Sequence, residues 1–175
     1  GSFMLSAYDL ETGDRRWWVG GLPFEMKATP VLDGDTLFVQ GYASPLNEVG
    51  QQLVVDSWAD TVEEHDRDGD GLISRDEFPH DRARGYILYV DLDGDGAMNQ
   101  DDWRYYRAAM ASLNGMLAMR LGGAGEMTAQ SVLWRYDRTV PQLPSPLLYQ
   151  GLLYMINDGG IVTSFQPDTG EVVER

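Results

Sequence analysis

The 175-residue chain has no cysteine, which excludes disulfides and thiolate chemistry and leaves the redox compartment open. Histidine is scarce too, His65 and His80 being the only two. Neither stands beside a serine or a carboxylate set for nucleophilic work that the acidic loops described next do not already explain. No residue is therefore assigned a catalytic role. Basic residues are outnumbered, 13 against 28 acidic ones, and they form no patch, so a nucleic-acid partner is not expected. No run is long and apolar enough for a membrane span, and no signal peptide is visible. Gly1-Ser2-Phe3-Met4 reads as an expression remnant ahead of an internal start. What the chain does have is 43% apolar residues, enough for one or two domains with a real core.

The acidic excess is local. Ten of the 28 acidic residues and two of the 13 basic ones, Arg67 and Arg75, lie in two twelve-residue stretches, so the net charge of −15 falls to −7 for the rest. In the first stretch Asp66, Asp68 and Asp70 hold positions 1, 3 and 5. Gly71 makes the sharp turn, Leu72 offers its carbonyl, Ser74 sits at position 9 and Glu77 closes the loop. The second repeats the order with Asp91, Asp93, Asp95, Gly96, Ala97 (carbonyl) and Asn99, but closes on Asp102, one methylene shorter than glutamate. A hard cation needs six to eight oxygens pointing inward together, and this spacing supplies them; both loops read as Ca²⁺ sites, the second weaker. Asp and Gly also favour plain solvated turns, but two such loops in tandem, each followed by an aromatic (Phe78, Trp103), argue against that alternative.

Such loops need helices at their ends. Val54, Val55, Trp58, Ala59 and Val62 recur at helical spacing before the first; Trp103, Tyr106, Met110 and Leu113 do so after the second. Ile73 and Met98, each at position 8, are apolar amid polar neighbours, as expected if the loops pair through a short β-bridge. The segment resembles an EF-hand pair. Pro79, two residues after Glu77, ends or restarts a helix, so the helices between the loops are expected to be short.

Residues 52–115 interrupt a chain of another texture, in which runs of four to seven residues are bounded by turn signals such as Asp33-Gly34-Asp35, Gln150-Gly151 and Asp158-Gly159-Gly160. Strands are expected at 5–10, 16–20, 29–32, 36–40, 116–120, 132–136, 146–149, 152–157 and 160–166. The flanks also repeat each other. Trp18 precedes Pro30 by twelve residues as Trp134 precedes Pro146, and Thr12-Gly13 recurs as Thr169-Gly170. Units of four strands recurring at about 40 residues point to propeller blades.

Ala7, Asp9, Thr12, Gly13 and Trp17 spell a pattern similar to the tryptophan-docking motif of quinoprotein-type (PQQ-like) β-propellers, and 131–170 is similar to the same family, especially to bacterial members with an inserted EF-hand pair. The resemblance implies a mainly β fold with an α insertion: blade segments at 5–51 and 116–175 and an EF-hand pair at 52–115. It also implies that the motif is structural, the indole packing between adjacent blades. The flanks suffice for two to two and a half blades, whereas a closed ring needs about four. Trp17, Trp18, Leu37, Phe38, Leu147 and Tyr154 are accordingly expected to lack neighbours unless the chain self-associates or further blades adjoin it.

The expected function is that of a calcium-binding, non-catalytic propeller segment, a scaffold or interaction module whose insert is stabilised by Ca²⁺. Calcium loops of this kind suit a periplasmic or secreted setting. The alternative is a fragment of a pyrroloquinoline-quinone dehydrogenase, which the missing vicinal cysteines and a fold shared with non-enzymes count against.

Overall fold

The computed structural model describes residues 2–43, 54–79, 84–85 and 87–175; His80 lies outside them. The structure is mainly β with a helical insertion. Two compact units are present, one formed by Gly1–Gln52 with Ser112–Arg175, the other by Leu53–Ala111. In chain order the first supplies β1 (Leu5–Tyr8), β2 (Arg15–Val19), β3 (Val31–Asp33) and β4 (Thr36–Gly41). The second supplies α1 (Trp58–His65), β5 (Ile73–Ser74), α2 (Ile87–Val90), β6 (Ala97–Met98) and α3 (Gln100–Ala111). The first then resumes with β7 (Gly115–Arg120), β8 (Gly125–Glu126), α4 (Thr128–Ser131), β9 (Val132–Tyr136), β10 (Leu147–Tyr149), β11 (Leu152–Ile156), β12 (Val162–Phe165) and β13 (Val172–Glu174).

Among the described residues three sheets make up the first unit: β1-β2-β8, β3-β4-β7-β9 and β10-β11-β12-β13. The middle one joins chain from both sides of the insertion, β4 pairing antiparallel with β7 from Thr36↔Arg120 to Gly41↔Gly115. Side chains alternate across its faces. Phe38, Met116 and Ala118 form one core with Leu153, Met155 and Phe165 of the third sheet, while Val39, Leu117 and Met119 form another with Val19 and Leu22 beside the first. A strand buried on both faces is a continuous apolar run, and Met116-Leu117-Ala118-Met119 is one; each large side chain so buried contributes about 1.5–3 kcal/mol. Stacking therefore corrects part of the sequence expectation. Phe38 is buried, and Leu37 and Trp17 pack on the second core, because the sheets of this one chain cover each other. Leu147 stays 59% exposed. Trp18, half-buried, carries the Arg15 guanidinium 4.0 Å above its ring.

Trp134 of β9 bridges the second and third sheets. Its ring lies 6.0 Å from Phe38 and 6.3 Å from Phe165, and its Nε1 donates to the Pro167 carbonyl at 2.7 Å. The indole seats on Gly170, where a Cβ would fall 2.6 Å from Trp134 Cδ2. Only glycine permits that approach, and at φ +72° it also takes the left-handed backbone without strain. The Asp9–Asp14 turn of the first sheet repeats the Gln166–Glu171 turn bond for bond: Gly13 N donates to Asp9 O at 3.0 Å as Gly170 N does to Gln166 O at 2.8 Å, and Asp9 N reaches Asp14 O as Gln166 N reaches Glu171 O.

In the helical unit α1 begins at Trp58, not Val54. Ser57 caps it, its Oγ accepting from Asp60 N at 3.2 Å; Val54 is exposed and Val55 buried ahead of the cap. Trp103, Tyr106 and Met110 are buried on α3 as their spacing requires, but the helix stops at Ala111 and leaves Leu113 outside. Asn114-Gly115 ends it, and Asn114 Oδ1 accepts from Ala43 N, tying the chain into the sheet unit. α2 is a single turn.

Candidate metal centre

Both acidic loops are folded by their own carboxylates. Asp66 accepts through Oδ1 from Gly69 N at 2.8 Å and through Oδ2 from Gly71 N at 3.0 Å; Asp91 does the same with Gly94 N at 2.7 Å and Gly96 N at 2.9 Å. Gly71 and Gly96 take φ +80° and +92°, which L side chains resist. Leu72 and Ala97 are held at the rim by their amides, which donate to Asp70 Oδ1 at 2.8 Å and Asp95 Oδ1 at 2.9 Å.

The result is two triplets, Asp66/Asp68/Asp70 and Asp91/Asp93/Asp95, in each of which one oxygen per residue lies within 4.8 Å of the others. Oxygens that ligate one divalent ion at 2.3–2.6 Å stand at most about 5 Å apart, so each triplet fits a metal ion. Ile73↔Met98 and Ser74↔Ala97 pair antiparallel and lock the two loops together, with Ile73 and Met98 fully buried.

The closing carboxylates fold back on their loops. Glu77 accepts from Arg67 N at 2.9 Å through Oε1, and through Oε2 from Ser74 N at 3.0 Å and the Ser74 hydroxyl at 2.7 Å. Asp102, fully buried, reaches the equivalent donors, Leu92 N at 2.8 Å and Asn99 N at 2.9 Å. The shorter side chain manages this as part of a reciprocal cap on α3, in which Asn99 Oδ1 accepts from Asp101 N and Asp102 N. Asn99 Nδ2 also donates to Asp93 Oδ2 at 3.1 Å. The structure thus brings Asn99 to the second triplet and Ser74 to Glu77. That Asp102 doubles as a capping partner was not visible in the loop pattern, although Asn-x-x-Asp at a helix start is its signal.

The titration behaviour of the two loops differs. Hydrogen bonds from the Ser74 hydroxyl, then from the Arg67 and Ser74 amides, push the Glu77 carboxyl down to about 2. Asp93 goes the other way. Against the pull of the Asp95 amide, partial desolvation, the Asp95 charge, the bond with Asp91 and the Asp102 charge together raise it. A depressed carboxyl stabilises the fold above its unfolded value near 4.5 and loses that contribution as pH falls toward 2, whereas a raised one opposes folding at neutral pH and relents on protonation. Carbon-13 titration of the metal-free protein should therefore give Glu77 a midpoint near 2 and Asp93 one above the ordinary aspartate range. Indistinguishable midpoints would contradict the geometry.

No protein-family model matches the chain, and no curated protein does. His65, next to the first triplet, lies 3.9 Å from Glu64 through Nε2. Among the described residues no helix is long and apolar enough to cross a membrane.

Proposed function

We propose that both loops bind Ca²⁺ as an EF-hand pair, and that the chain is a calcium-binding, non-catalytic segment of a PQQ-like β-propeller, a scaffold whose helical insert the metal holds folded. The observation that carries the metal reading is the pair of carboxylate triplets joined through the Ile73↔Met98 bridge, each with a closing carboxylate tethered to its own loop. Hard oxygen donors and no sulfur or imidazole in either triplet favour calcium over softer metals. The scaffold reading draws on the stacked sheets and on Trp134 seated over Gly170. The matching Gly13 turn has no described atom within 4 Å of where a Cβ would point, which suits a further sheet packing there.

Calorimetric titration of chelator-treated protein with Ca²⁺ tests this. Two sites are expected, the first tighter. Glu77→Gln should abolish the tighter one, and Asp102→Glu should strengthen the weaker by about tenfold, the factor that about 1.4 kcal/mol supplies. Absence of heat and of any Trp58 or Trp103 fluorescence change would end the reading.

A further inference from the structure

The third sheet repeats the second position by position. Phe38 of β4 pairs with Val31 and Ala118, and Trp134 stands across from Ala118; Tyr154 of β11 pairs with Leu147 and Ser164, and Glu174 stands across from Ser164. The Phe38 face is the one that the third sheet covers. Its counterpart lies open. Leu147, Tyr149, Ile156 and Val162 are 41–59% exposed and by alternation share one face with Leu152 and Tyr154, while Leu153 and Met155 point into the core. A contiguous apolar face with a charged edge marks an interaction surface.

At the other end of the stack the first sheet offers the matching half. Its Asp9–Asp14 turn repeats the Gln166–Glu171 turn, so Tyr8 corresponds to Phe165 and Gly13 to Gly170. Phe165 is buried and stacks on Trp134 at 6.3 Å, with the indole seated on Gly170. Tyr8 is 58% exposed and Gly13 is open. Charge matches as well: Glu171 and Glu174 are exposed at the third sheet, and the strand after Gly13 begins with the exposed Arg15 and Arg16. The turn's own carboxylates are engaged, Asp9 by the Glu11 and Thr12 amides and Asp14 by the Thr12 hydroxyl. Arg16 meets Asp9 only at 3.9 Å, a surface pair that contributes little.

We propose that the outer face of the third sheet docks on the outer face of the first sheet of a second copy of this chain, continuing the stack head to tail. The Tyr154 face covers Tyr8, and Glu174, standing where the second sheet has its indole, meets Arg15 and Arg16. Both halves lie on one chain, so the occupant is another copy and the contact is heterologous. The inference rests on the scaffold reading through the stacked sheets and asks nothing of the metal.

Sedimentation velocity of the intact chain over a wide concentration range tests it. The average mass should rise with concentration, more so at low salt. Leu147→Arg blocks one face and Tyr8→Glu the other; both side chains are more than half exposed, so each variant should keep its circular dichroism and stay monomeric alone. Mixed in equal amounts, the two should form a one-to-one pair and stop there, since each keeps the half that the other lost. Glu174→Arg in the otherwise unaltered chain should weaken association about tenfold. A chain that is monomeric at every concentration overturns the proposal and leaves the face to a sheet of another protein. Self-association of either blocked variant, or a mixture without a pair, overturns it too. None of these outcomes touches the seat of Trp134 on Gly170, which unfolding of variants at those two positions reads separately.

Discussion

Removal of divalent ions should lower the unfolding temperature of the helical unit by about 10–20 °C and shift the sheet unit far less. A site that is filled at a hundredfold excess over its Kd adds about 2.7 kcal/mol, and a domain of this size shifts by about 4–8 °C per kcal/mol. Two of its helices are too short to stand alone. α1 has eight residues and α2 four, both far below the length at which a helix persists unaided. The described core includes Ile73, Phe78, Ile87, Val90, Met98, Trp103, Tyr106 and Met110, with the Phe78, Trp103 and Tyr106 rings meeting at 5.2–5.6 Å. Against it stand two carboxylate triplets that repel one another unless a cation lies between them. Scanning calorimetry in calcium and in chelator, with Trp58 and Trp103 fluorescence reporting on the unit, gives the comparison. A variant with Asp66→Asn and Asp91→Asn should show the lower transition under both conditions. Identical transitions for the unaltered chain in calcium and chelator would show that metal does not support the unit.

The second large effect belongs to the sheets. Trp134→Ala should cost about 3 kcal/mol, the low end for emptying a large aromatic site, because the half-buried indole contacts Phe38 and Phe165 and its Nε1 satisfies Pro167 O. Gly170→Ala should cost about 2–4 kcal/mol from two sources, a Cβ 2.6 Å from the indole and a φ of +72°. The two substitutions share one contact, so they should not add. In the Trp134→Ala background the collision is gone, and Gly170→Ala should cost only the backbone term, about 1–2 kcal/mol. Urea unfolding of the four proteins measures the cycle; additive costs would mean that the indole does not seat on this turn.

Much of this architecture was legible in the chain itself. Gly, Asp and Asn punctuation located nine strands to within about two residues, and the loop spacing named the residues that form the two triplets. What escaped did so for identifiable reasons. β13 (Val172–Glu174) lies past the Thr169-Gly170 turn in a short stretch without alternation, and β8 is two residues drawn into line by β2 alone. The Val54-Val55 pair matched a helical period, yet Ser57 captured the amide of Asp60 and fixed the start later. Trp134 was recognised as the counterpart of Trp18, but its partner was not, since Gly170 lies 36 positions away and only the stacking of two sheets brings them together. In the metal centre, position and residue type told which side chains gather. That Glu77 and Asp102 each fold back to the equivalent pair of backbone donors in their own loop required three dimensions.

The pairing of Gly41 with Gly115 has a kinetic corollary. The central sheet zips only after the chain has closed a loop made of residues 42–114, and the entropy of closing a loop grows with the logarithm of its flexible length. An insert condensed around bound metal would shorten that flexible length and lower the closure cost by about 0.6 kcal/mol for each halving. The proposed metal binding would thus hasten the encounter of strands the ions never touch, as well as rigidify its own surroundings.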